Sequence, residues 1–286
     1  MEYSVIPLHI GMEKPLRCLH IADTHLLFAD GRDNAAKYNI AIRRYGEYVY
    51  TNIGRNVPYF LDALLYTRDH CDLMLHCGDL IDFVSLQNLE VAQKLFDLAG
   101  IDYFMCAGNH EYTHYSGQHP ETPEEAEAGR HLVPRYFRNN LYFDSRQIHG
   151  LNLIAIDNGN YRFTTDQRER FEREVERGMP MILLIHNPIY TPALADYRFD
   201  NEGKGSLALI GCPPDAPERH RKFDTCPPDE TTLDFIARLK QEPLLKAVLA
   251  GHVHFHQNYV EEIAPGLRQF VVGGGYYGCG EVFEIS

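Results

Sequence analysis

The sequence predicts a layered α/β fold, and three observations carry the prediction. Short apolar runs rich in β-branched residues alternate with segments of helical period along most of the 286 residues. Five of six such runs lead into polar residues capable of metal or proton chemistry, and in open α/β sheets active sites lie at strand ends. The composition, 44% hydrophobic and 23% charged, is that of an ordinary globular chain rather than a disordered or fibrous one. A chain of this size buries roughly three quarters of its unfolded surface, enough for a core without disulfides.

In order along the chain, residues 16–22, 72–77, 103–107, 151–156, 181–185 and 247–250 read as buried strands. Phe60, Ala63, Leu64 and Thr67 recur at helical spacing, and Leu89, Ala92, Leu95, Phe96 and Ala99 share one face of a second helix. Residues 165–177 are polar except for Phe171 and Val175, which predicts a surface helix with a narrow buried seam. No hinge separates two units, so residues 1–286 are expected to form a single domain. Two stretches read as insertions over the active site: 28–56, mixed in charge and rich in Tyr, and 191–229, rich in Pro and Gly. The second contains Cys212-Pro213-Pro214-Asp215 and Cys226-Pro227-Pro228-Asp229, which read as two similar loop turns because Pro pairs block regular ladders. The acidic stretch 121–127 reads as a solvated loop or helix start.

Charge and cysteine usage narrow the function classes. The net charge of -13 repels a polyanion at long range, so extended nucleic acid is a disfavoured but not excluded partner, while small anionic substrates remain open. Arg32, Arg43, Arg44 and Arg55 could form a basic groove, although solvated helix charges are the commoner explanation. The seven cysteines form no C-x-x-C pair and read as reduced, mostly buried thiols. Neither a secretion signal nor a membrane span is recognisable, which makes the cytoplasm the expected location.

Five short motifs carry the chemistry. They are Asp23-Thr24-His25, Gly78-Asp79-Leu80-Ile81-Asp82, Gly108-Asn109-His110-Glu111, His186-Asn187-Pro188 and Gly251-His252-Val253-His254, each just after an apolar run. Any one of them alone fits a hydrogen-bonded structural histidine; their joint occurrence points to metal. Asp23 and His25 lie two apart, as do His252 and His254, so at an extended strand end both members of a pair project to one side. The glycines at 78, 108 and 251 let the backbone turn and keep Cβ atoms away from the metal. Asp23, His25, Asp79, Asn109, His186, His252 and His254 offer carboxylate, imidazole and one amide oxygen with no thiolate, a set that suits Mn, Fe, Zn or Co. That is too many ligands for one ion with open positions, but it fits two ions if one carboxylate bridges them.

In this order D-x-H, GD-x-x-D, GNH[DE], H and GH-x-H resemble the calcineurin-like metallophosphoesterase superfamily, and the motifs extend from Asp23 to His254. The resemblance implies a four-layered α/β/β/α sandwich with two mixed sheets and the metal centre at the strand ends. It implies that Asp23, His25 and His254 hold one metal, Asn109, His186 and His252 the other, and that Asp79 bridges. His110 would hydrogen-bond the phosphoryl oxygen or protonate the leaving group, Asp82 would orient the His110 imidazole, and Glu111 would support the loop. The expected reaction is in-line attack of a metal-bridging hydroxide on a small phosphodiester or phosphomonoester such as a nucleotide.

Departures narrow the subfamily. Purple acid phosphatases carry Tyr where Asp82 stands; protein Ser/Thr phosphatases follow this aspartate with Arg-Gly, whereas here Phe83-Val84 follow and no Arg precedes Gly108. What remains resembles bacterial small-substrate phosphoesterases and, more distantly, nucleases. A nuclease and a non-catalytic scaffold of the same fold are the alternative readings, and metal content separates the scaffold from the enzyme. No H-E-x-x-H helix supports a metalloprotease. His114, His119 and Tyr190 lie close to motifs but read as structural or surface residues.

Overall fold

The computed structural model describes residues 3–50, 55–113, 123–205, 208–221 and 227–286. Among the described residues the elements begin with β1 (Ser4–Leu8), β2 (Leu16–Ile21), α1 (Ala35–Tyr50), α2 (Asn56–His70), β3 (Leu73–Cys77), α3 (Leu86–Ala99) and β4 (Tyr103–Cys106). Then come α4 (Pro123–Leu132), β5 (Phe143–Ile148), β6 (Leu151–Ile156), α5 (Thr165–Val175), β7 (Met181–Leu184), α6 (Pro192–Glu202) and α7 (Glu218–Arg221). The chain closes with α8 (Glu230–Gln241), β8 (Leu245–Ala250), β9 (Tyr259–Ala264), β10 (Leu267–Val271) and β11 (Glu281–Ile285).

Two mixed sheets result, ordered β1-β11-β2-β3-β4 and β5-β6-β7-β8-β10-β9. In the first, β2-β3-β4 run parallel to one another, and in the second β6-β7-β8-β10 do. Their inner faces meet through Cys18, Leu75, Phe104, Leu153, Leu184, Leu249 and Phe270, a continuous dry layer. On the outer face of the first sheet α2 and α3 bury Phe60, Leu64, Leu89 and Phe96; on the second, α5, α6 and α8 bury Phe171, Leu194, Phe235 and Leu239. Four layers, α/β/β/α, are therefore built as the helical and strand periods of the sequence require. Because both faces of each sheet are covered, the central strands carry near-continuous apolar runs.

The six strands read from sequence coincide with β2, β3, β4, β6, β7 and β8, with ends shifted by a residue or two. Five others were illegible. β1 contains Pro7, β5 reads FDSRQI and β9 reads YVEEIA, all three at sheet edges where one side of the ladder and much of the side-chain surface need not be apolar. β10 contains Gln269 and β11 opens on Glu281, both buried and satisfied, Gln269 by the Ile189 backbone and Glu281 by His20.

The helices end on recognisable signals. Ser85 and Thr164 cap α3 and α5, the latter in a capping box with Gln167. α3 and α6 stop at left-handed Gly100 and Gly203. Both stretches read as insertions contain helices: α1 lies within 28–56, and α6 and α7 within 191–229. Cys226, His114 and His119 lie outside the described residues, as do the first two residues of the acidic stretch, whose remainder opens α4. Cys18, Cys71, Cys77, Cys106 and Cys279 are free thiols. Among the described residues no helix is long and apolar enough to cross a membrane.

Candidate metal centre

The strands stop short of the centre, and the candidate ligands hang from the loops that follow. Asp23 and His25 come after β2, Asp79 after β3, Asn109 and His110 after β4, His186 after β7, and His252 and His254 after β8. The paired ligands do not sit on extended backbone, as their spacing suggested. Asp23, His25, Asp79, His252 and His254 all have positive φ, between 50° and 69°. Such backbone is uncommon outside glycine, costs about 1 to 3 kcal/mol per residue and persists only where surrounding structure enforces it. Here the enforcement is backbone pairing between loops: Asp23 N–H donates to Gly78 O at 3.0 Å and His25 N–H to Asp79 O at 2.9 Å.

Gly78 and Gly108 are required by close approach. Gly78 has φ +82°, and a Cβ there would fall 2.5 Å from Gly108 N and 2.8 Å from His186 Nδ1; a Cβ on Gly108 would collide with the Asp79 carboxylate. Glu111, fully buried, holds the same junction by accepting from the N–H groups of Asp79, Leu80 and Gly108 at 2.6–2.8 Å. Burial and the nearby Asp79 push its carboxyl up to about 7, against backbone donors that favour the anion.

Donor atoms converge in two groups that share Asp79: Asp23, His25, Asp79 and His254 in one, Asp79, His186 and His252 in the other, each within 4.8 Å. His254 Nε2 lies 3.1 Å from both Asp23 Oδ1 and His25 Nε2. His252 Nδ1 lies 2.9 Å from His186 Nε2, which is 3.2 Å from Asp79 Oδ2. That same Oδ2, 3.8 Å from His25 Nε2, is buried without a hydrogen-bond partner, and so is Asn109 Oδ1. Leaving a buried oxygen unmatched costs about 1 to 3 kcal/mol, which a bound cation offsets. The opposite ring nitrogens are already committed, the arrangement that aims an imidazole lone pair at a metal. His25 Nδ1–H donates to Asp82 Oδ1 at 3.0 Å, His186 Nδ1–H to Cys77 O at 2.7 Å, and His252 Nε2 meets Tyr161 Oη at 2.8 Å. The residues present therefore fit metal binding.

Charges in the cluster are strongly coupled. Burial alone would raise the Asp79 carboxyl, but His186, His110 and His25 hold it well below the usual carboxylate range. Burial opposes charge on His186, yet Asp79 and Asp23 push it up to about 10. His252 goes the other way: burial, then repulsion from His186, with Arg198 and His254 contributing, holds it well below the ordinary imidazole value.

Asp82 meets His110 through its backbone: His110 Nδ1–H donates to the Asp82 carbonyl at 2.6 Å, with the nearer carboxylate oxygen 3.8 Å away. Asp82 is taken by His25 and by Arg44 of α1, which grips both its oxygens at 2.9 and 2.5 Å. Burial would raise Asp82, but its hydrogen bonds to His25 and Arg44 lower it far below a free carboxylate. Arg44 is the main functional residue that sequence reasoning missed as such. Nor do the arginines around it line a basic groove: Arg32 is paired with Asp30 and Glu90, and Arg43 with Glu47. Tyr48 of α1 stacks near His25, whereas Tyr190 points its hydroxyl to His220.

The model of the calcineurin-like phosphoesterase family matches residues 16–256. Among curated protein sequences none matches the chain. A dimetal phosphatase from Danio rerio superposes over 93% of this chain and 91% of its own, with a TM-score of 0.53 at 12% identity. A purple acid phosphatase from yellow lupin (Lupinus luteus) seeds superposes over 92% of this chain, again with a TM-score of 0.53, at 16% identity. This chain spans 44% of the lupin protein's length. At such identities the two likenesses speak for the fold.

Proposed function

The chain belongs to the calcineurin-like phosphoesterase family, and from that premise we propose that it is a dinuclear-metal hydrolase of small phosphodiesters or phosphomonoesters such as nucleotides. The observation that carries the reading is Asp79 Oδ2, buried without a well-formed hydrogen bond, 3.2 Å from His186 Nε2 and 3.8 Å from His25 Nε2, on the carboxylate that two donor groups share. Asp23, His25 and His254 would hold one ion and Asn109, His186 and His252 the other, with Asp79 between them. Two bound ions of the Mn, Fe, Zn or Co type would supply Lewis-acid charge for the phosphoryl oxygens and lower the pKa of water.

The chain's own residues do the rest. With Nδ1 committed to the Asp82 carbonyl, His110 turns Nε2 toward the centre, 4.0 Å from Asp79 Oδ2, and its side chain is 15% exposed. Burial opposes its charge, but Asp79 and Asp82 raise its pKa above the ordinary imidazole value. A protonated His110 then offers Nε2–H to a phosphoryl or leaving-group oxygen. Arg44 and Asp82 hold the His25 ring, and Glu111 holds the turn that presents Asp79.

Metal-stripped protein reloaded with Mn is expected to hydrolyse p-nitrophenyl phosphate or bis-p-nitrophenyl phosphate, and Asp79→Asn to lose that activity. His110→Ala should harm alkyl esters, whose leaving groups need a proton, more than p-nitrophenyl esters. Equal losses on both would remove His110 from the acid role, and no turnover of any ester by metallated protein would remove the enzyme reading.

A further inference from the structure

The strand end that supplied no motif is the third side of the metal centre. After β6 the loop 157–161 carries none of the candidate ligands, yet it touches three of the segments that do. Asn158 Oδ1 accepts from the N–H groups of His186 and Asn187 at 3.0 and 2.9 Å, and the two asparagines exchange side-chain amide bonds with each other's carbonyls at 2.8 and 2.6 Å. Gly159 lies so close to the Gly108–Asn109 peptide that a Cβ would stand 2.9 Å from Gly108 O. Tyr161, turned back by its N–H bond to Asn158 O at 2.8 Å and held at φ 59°, places Oη 2.8 Å from His252 Nε2. The hydrogen bonds and packing that run from this loop reach the Asn109, His186 and His252 group.

We infer that loop 157–161 is the positioning loop of the His186 and His252 donor group, with Tyr161 orienting the His252 ring through Nε2. A neutral imidazole has one N–H. For Nδ1, 2.9 Å from His186 Nε2, to present its lone pair to a metal, Nε2 must keep the proton, and the Tyr161 oxygen is its acceptor. Deleting that oxygen removes the acceptor that the metal-binding form needs and frees the ring to rotate. The strained backbone of Tyr161 is consistent with a residue held for its side chain's position. The inference rests on the two-ion reading and adds an asymmetry to it: the loop governs one ion and not the other.

Titration of chelator-stripped protein with Mn2+, with free Mn2+ read by electron paramagnetic resonance, tests this without turnover. Wild type is expected to take up two ions. Tyr161→Phe, which removes only the hydroxyl, should weaken one of them about 10- to 100-fold and leave the other within about twofold. Loaded with Co2+, the variant should change the visible absorption of one ion only, while its metal-free melting temperature stays within about 2 °C of wild type. Two ions bound equally well by wild type and variant, or a weakening shared by both ions, would overturn the positioning role while leaving the two-ion reading intact. A wild-type chain that takes up no ion would remove both.

Discussion

The two insertions differ in what they are fastened to. Helix α1, from 28–56, drives its buried side into the centre: Arg44 clasps Asp82, Tyr48 lies against His25, and Lys37 Nζ bonds the Val84 carbonyl at 2.6 Å. The helices of 191–229 are fastened to the second sheet and to each other, away from the buried carboxylates of the centre: Leu194 lies in the core, Thr191 bonds Glu261 of β9, and Tyr197 packs on Phe255 and Tyr259. His220 of α7 bridges Tyr190 Oη and Asp196 of α6, at 2.8 Å on both sides, with Arg219 also on Asp196. From this second insertion Arg198, 2% exposed, sends its field to His252. Length and composition made the two segments look alike; the difference lies in which buried polar groups each one satisfies. An insertion that neutralises a buried carboxylate of the centre becomes part of the centre.

That contrast can be broken most forcefully at Asp82. Asp82→Asn strips the charge that holds both Arg44 and His25, and metal affinity or activity should fall about 10- to 100-fold, with a stability loss of about 3 kcal/mol for breaking a buried ion pair. The pH dependence has a definite sign. The Asp82 carboxyl is depressed in the fold, so its contribution is fully present above the unfolded value near 3.9 and is lost as pH falls toward the folded value. Thermal melts of metal-free protein should therefore show the gap between wild type and Asp82→Asn narrowing below about pH 4. A gap that widens in acid would contradict the assignment.

A smaller effect is expected from the other insertion. His220→Ala cuts the link between Tyr190 and Asp196 and should cost about 1 to 3 kcal/mol, read by denaturant melts, because buried Tyr190 loses its hydroxyl's partner, whereas Asp196, 37% exposed, keeps Arg219. Mn2+ affinity should stay within about twofold, since no ligand loses its orienting bond. A His220→Ala variant that lost metal as severely as Asp82→Asn would erase the distinction. The smallest change belongs to Arg43→Ala on the exposed side of α1, where a 3.6 Å pair with Glu47 joins side chains 65% and 42% exposed. It should shift stability by less than about 0.5 kcal/mol, and its neighbour Arg44 provides the contrast.

What the sequence revealed follows the same logic. The donor residues were legible because each is local: a short apolar run predicts a buried strand, and the polar residues just after it must do chemistry or find partners. Arg44 was illegible because its meaning lies in Asp82, 38 residues away. Tyr161 was missed for a related reason, since its contact to His252 spans 91 residues and the run before it ends without a ligand. The alternation argument brought Asp23 to His25, and His252 to His254, by the wrong route. Left-handed turns rather than pleated strand ends bring them together, and a pattern of residue types does not display positive φ in Asp and His. Edge strands β1, β5 and β9 escaped because a strand with a solvated side need not look apolar.

The most direct test of the central claim is the number of ions that purified chain holds after Mn2+ loading and exhaustive buffer exchange, measured by elemental mass spectrometry for wild type and Asp79→Asn. Wild type is expected to hold two per chain and the variant markedly fewer, because both donor groups share that carboxylate. One ion or none in wild type, or two retained by Asp79→Asn, would contradict it.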